Sequence, residues 1–140
     1  MANELDTLVD NVAALLDEIS QYKQVRTHEP DAISTSCEAS VLVDIGTHGQ
    51  YGVQQHEEKH TLRIRTYILI GADIKYPEQL MRQILSLQYD KFNLHVNLDG
   101  AATTSQITNY RTGYLNIGGV LCRILDTFLE ATILVNTAYA

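Results

Sequence analysis

An α+β fold follows from three features of the sequence. An apolar stripe at helical spacing opens the chain, two long alternating runs occupy its middle, and a proline-started second stripe lies between strand-like segments. The expected architecture is an antiparallel or mixed β-sheet, with the N-terminal amphipathic helix and the second helix packed on it and a long β-hairpin protruding from it. At 140 residues the chain suits a single α+β domain spanning 1–140.

Leu5, Leu8, Val9, Val12, Leu15, Leu16 and Ile19 recur three and four apart, which predicts a helix over about residues 4–21. Asn3 can cap it, and Glu4 and Asp6 lie near its electropositive N-terminal end. Residues 23–36 are polar, contain Pro30 and read as a connection. Cys37, Ala39, Val41, Val43 and Ile45 then alternate with polar residues, predicting a half-buried strand. A longer strand is expected from Lys59 to Ile70, with Leu62, Ile64, Ile68 and Ile70 on one face and Arg63, Arg65 and Tyr67 on the other. Between the two, Gly46 to Glu58 is glycine-rich and almost free of core-type residues, so it reads as a long hairpin loop.

Pro77 suits the first turn of a helix running to about Gln88, with Leu80, Met81, Ile84, Leu85 and Gln88 inward. Leu94, Val96 and Leu98 alternate and predict a short strand that stops at Asp99-Gly100. Ile107 to Ile117 reads as a strand broken near Gly113, followed by a turn at Gly118-Gly119. Val120 to Val135 fits helical spacing as well as strand. Its β-formers Thr127, Thr132, Ile133 and Val135, together with the preceding Gly-Gly, lead us to read it as a strand.

Charge and composition exclude some functions. The formal net charge of -7 lacks the basic excess that a duplex nucleic-acid binder or an anionic-membrane binder uses, so neither specific nucleic-acid binding nor membrane association is expected. No apolar run reaches the roughly 18–20 residues of a membrane span. The opening MANELDTLVDNV is acidic rather than basic, so no secretory leader is expected, and Cys37 and Cys122 are expected as buried free thiols in a reducing compartment.

One motif carries potential chemistry. His56-Glu57-Glu58-Lys59-His60 matches H-E-x-x-H, which on a helix places two imidazoles on one zinc ion with the glutamate activating its water. Here His60 opens an alternating run, and on extended backbone residues four apart are separated by roughly 13 Å, too far to share one ion. The third ligand is unassigned, with His48, His95 and Glu57 as the alternatives. A small zinc hydrolase is therefore the second reading and a solvated loop the first. No phosphate-cradling loop, dinucleotide fingerprint or G-x-S-x-G turn occurs, so no catalytic residue and no cofactor is assigned. Arg63, Arg65 and Tyr67 on one strand face, with Tyr51, Tyr110 and Tyr114, are the candidate subunit contacts, because arginine and tyrosine are enriched where proteins meet.

The order of elements resembles the tail terminator (tail completion) and neck proteins of tailed bacteriophages. The residues carrying the likeness are Leu5 to Ile19, Cys37 to Ile70 with its loop, Pro77 to Gln88, and Tyr110-Arg111-Thr112-Gly113-Tyr114 through Leu129-Glu130-Ala131-Thr132-Ile133. The likeness spans most of the chain and is one of layout. It implies a structural virion protein, assembled in the host cytoplasm as a homo-oligomeric, sixfold ring. Such a ring caps the tail tube protein, offers its other face to the neck or connector protein, and lets DNA pass through. The H-E-x-x-H match is a departure that this family does not call for. A generic adaptor domain is the third reading.

Overall fold

The computed structural model describes residues 4–33, 35–51, 55–71 and 75–136. They form, in chain order, α1 (Glu4–Asp17), β1 (Gln24–Arg26), β2 (Cys37–Tyr51), β3 (Gln55–Leu69), α2 (Lys75–Leu94), a 3-10 turn (Leu98–Gly100), β4 (Thr104–Ile117) and β5 (Val120–Asn136). The five strands make one mixed sheet in the order β1-β2-β3-β5-β4. β1 pairs parallel with β2, and every other neighbouring pair is antiparallel. The α+β class and the two packed helices expected from the sequence are both present.

Helix α1 ends earlier than its apolar stripe. After Asp17 the chain winds through tight turns, in which Glu18 N donates to Leu15 O, Ile19 N to Leu16 O and Tyr22 N to Ile19 O. Ile19 and Tyr22 still reach the interior. Leu8, Val12, Leu15, Leu16 and Ile19 pack with Ala39, Val41, Leu62, Ile64, Leu125 and Leu129 of the sheet and with Leu80, Ile84 and Phe92 of α2. Burying each such aliphatic side chain contributes about 1.5–3 kcal/mol.

Two further expectations are corrected here. The stretch from Gly46 to Glu58 is mostly strand, because β2 and β3 stay paired out to Tyr51↔His56, with register shifts between Val43 and Ile45 and between His48 and Tyr51. The hairpin connection at 52–54 lies outside the described residues. Core-type residues are not needed there, since β5 runs alongside β3 to Gln55↔Asn136 and supplies a third hydrogen-bonded strand. Close approach also explains Gly46: a Cβ there would stand 2.8 Å from His60 Nδ1. The strand expected at Leu94–Leu98 does not form. Phe92 extends the inward stripe of Ile84 and Gln88 by one more helical turn, so α2 continues to Leu94 and three alternating residues cannot outweigh it. Leu94 is exposed, and the following corner places Leu98 and Asp99 at positive φ, 52° and 55°.

The connection at 23–36 is more than a tether. It contributes β1, and its later part lies on the sheet face away from the helices, where Ile33 packs with Tyr67, Cys122 and Ile124 in a second apolar cluster. The fully buried carboxylate of Glu38 holds this cover down: it accepts from the backbone N–H and the hydroxyl of Thr35, each at 2.7 Å, and is ion-paired with Arg26 of β1. Among the described residues no helix is long and apolar enough to cross a membrane.

A buried chain of side-chain hydrogen bonds joins the layers. Gln88 of α2 donates through Nε2 to the Tyr22 hydroxyl at 2.6 Å, Tyr22 meets Thr66 Oγ1 of β3 at 2.6 Å, and Thr127 of β5 donates to Gln88 Oε1 at 2.6 Å. Tyr22→Phe keeps the ring and removes the central link, leaving the Gln88 amide and Thr66 short of a partner. Chemical unfolding of this variant is expected to show a loss of about 1–3 kcal/mol.

Burial pushes the Cys37 thiol up from 9.0 to about 12 and also raises the Tyr22 phenol and the Cys122 thiol. These groups stay protonated in the fold at pH values where the unfolded chain ionises. Their contribution is therefore complete below pH 9 and is lost as pH rises towards 12. Thermal midpoints should fall over that window, and Cys37→Ala should flatten the fall.

Candidate subunit-contact surface

The alternation of the strands divides the candidate residues between two faces. Leu62, Ile64, Leu125 and Leu129 point to the helices, so their neighbours Arg63, Arg65, Asp126 and Phe128 occupy the opposite, open face. There the register sets Arg65 of β3, Asp126 of β5 and Arg111 of β4 side by side. Arg65 donates twice to Asp126, Nε to Oδ1 at 2.7 Å and a terminal nitrogen to Oδ2 at 3.0 Å. Arg111 approaches the same carboxylate at 3.7 Å and lies over the Phe128 ring, 5.8 Å from its centroid. The hydrogen bond to Asp126 raises the Arg65 guanidinium above its ordinary range, against the opposing effect of burial. Two cations thus share one buried anion, and Arg111 is left 68% exposed. Arg65, Arg111, Leu115, Ile124 and Asp126 line a cavity of about 190 Å³ on this face.

Arg63 stands on the same face and ion-pairs at 3.4 Å with Glu29 of the covering segment. Its Nε is buried without a hydrogen-bond partner among the described residues. Tyr67, although on the open face, is only 1% exposed: Ile33 and Cys122 enclose it, and burial raises its phenol. Its ring is therefore packing within this chain and not a surface contact.

Tyr110 and Tyr114 belong to the other face. β4 is the edge strand, and both remain more than half exposed, at 52% and 65%. Arg123 lies 4.6 Å above the Tyr114 ring, donates to Gly113 O at 3.0 Å and pairs with Glu78 of α2 at 3.1 Å. This stack fixes the orientation of Tyr114 and lines a second cavity of about 130 Å³ with Ile70 and Pro77. Tyr51 enters the ladder opposite His56, and its side chain lies outside the described residues.

The structure thus groups Arg63 with Arg65, and Tyr110 with Tyr114, on opposite faces of one sheet. Arg111, Asp126 and Phe128 were not singled out from the sequence. The available signal was Asp126 itself, one of two acids within an apolar β-run, which needs a cation once buried.

The H-E-x-x-H residues are in extended backbone. His56 and His60 are both in β3, opposite Val135 and Ala131, and the ring of His60 bonds Glu58 Oε1 at 2.9 Å. The helix on which that motif brings two imidazoles to one ion is not formed here. Among the described residues no group of three or more His, Cys, Asp or Glu is placed to hold a metal.

Asp126→Ala leaves the Arg65 guanidinium, only 17% exposed, without its carboxylate. The expected loss is about 2 kcal/mol, read from urea unfolding, while Arg111→Ala should cost far less because that side chain is solvated.

No protein-family model matches the chain, and no curated protein matches it in sequence.

Proposed function

We propose that this chain is a structural assembly subunit: a ring-forming protein of the head–tail junction of a tailed phage, which caps the tail tube and joins it to the neck or connector. The observation that carries the reading is β4. It is a 14-residue strand at the end of the sheet, exposed along most of its length, with Tyr110 and Tyr114 on one face and Arg111 and Leu115 on the other. A long open edge furnished with tyrosine and arginine is a liability for a lone monomer and an asset for a subunit. The element order that resembles tail terminators supports the same reading. The acidic net charge of -7 suits a channel wall past which DNA must slide without sticking.

Sedimentation and negative-stain imaging test it. The purified protein is expected to run as closed rings of several 15.7 kDa copies, or to pass from monomer to ring when tail tubes are added. A chain that stays at the monomer mass both alone and with tail tubes overturns it.

A further inference from the structure

We infer that successive copies of this chain join by strand pairing, the outer edge of β4 in one copy lying antiparallel against the outer edge of β2 in the next. This rests on the assembly reading above and names the contact that would build the ring.

Both edges are open. β4 ends the sheet on one side. On the other side β1 covers β2 only at Glu38–Ser40, so from Val41 onward, among the described residues, no strand lies on that outer side of β2. A cavity of about 400 Å³ runs along that uncovered edge, walled by Leu5, Asp6, Val9 and Thr27 and floored by Val41 and Val43. An added strand would lie along this edge, as in other cases of sheet augmentation.

Direction agrees. β2, β3, β5 and β4 alternate along the sheet, so β4 runs opposite to β2. Copies related by rotation about an axis along the strands keep their strand directions. β4 of one copy then meets β2 of its neighbour antiparallel, and the alternation of the sheet continues across the junction. Because the two edges differ, the contact is head-to-tail, the kind that closes into a ring.

Side chains agree as well. Val43 and Ile45 are 48% and 62% exposed on the β2 edge, facing water although both read as core residues. Tyr110, Tyr114 and Leu115 are exposed on β4. The charges are complementary: α1 and β2 carry the exposed Asp6, Asp10, Asp17 and Asp44 and no lysine or arginine, whereas the only charged residue of β4 is Arg111. A second copy therefore fits this edge better than an unrelated acidic or basic partner.

Two double variants test the pairing, under the conditions in which the wild type assembles. One carries Val43→Glu and Ile45→Glu, the other Tyr110→Glu and Arg111→Glu. Each retains one intact edge. By analytical ultracentrifugation each is expected to be a monomer alone, and an equimolar mixture should give dimers and nothing larger. Either variant assembling as the wild type does, or a mixture that stays monomeric or forms full rings, overturns this contact while the wild-type ring leaves the assembly reading standing. A wild type that never assembles overturns both. Hydrogen exchange on the unmodified protein provides a test independent of variant folding. Amides of 41–45 and 110–115 should gain at least tenfold protection on assembly, and no gain at either edge overturns the pairing.

Discussion

The arrangement of this molecule depends on one buried chain of hydrogen bonds, Thr66–Tyr22–Gln88–Thr127. Tyr22 follows α1, Thr66 and Thr127 sit on the two central strands β3 and β5, and Gln88 comes from α2, so the chain ties all three parts together. Apolar packing alone is non-directional and would tolerate sliding of a helix along the sheet. Polar groups buried in this way are satisfied in one relative position and costly in others. The seating of both helices on one face follows, and so does the freedom of the opposite face.

That opposite face is finished by a different device. Glu38 is a fully buried carboxylate, and Arg26 and two donors of Thr35 surround it. The pairing brings β1 against β2 and draws the covering segment down so that Ile33 seals Tyr67 and Cys122. Its reach is short. β1 spans three residues, which is why most of the β2 edge stays uncovered, and the same local economy leaves Arg65, Asp126 and Arg111 in the open part of the face.

The surface reading turns on charge placement rather than on total charge. An acidic chain concentrates acids on α1 and β2 at one side of the sheet and sets a lone arginine on β4 at the other. Like edges of two copies would repel and unlike edges attract. The exposed aromatic and aliphatic side chains lie at the same two edges, so apolar burial and charge act together.

Periodicity alone determined much of this protein. The three-and-four spacing of Leu8, Val12, Leu15 and Ile19 required a helix, and the two-residue alternation of Leu62, Ile64 and Ile68 required a strand with Arg63 and Arg65 on its far side, because these patterns express local backbone geometry. Legibility failed where a partner distant in sequence decided the outcome. Residues 46–51 and 55–58 have little apolar content of their own and became strand because they pair with each other and β5 extends beside 55–58, and Leu94 to Leu98 lost their alternation to the helix that Phe92 anchors in the core. The contact residues divided in the same way: the face of each arginine was readable locally, whereas the burial of Tyr67, the sharing of Asp126 by Arg65 and Arg111, and the edge position of β4 came from strand order. Strand order is set by pairings across the whole chain, which no local spacing encodes.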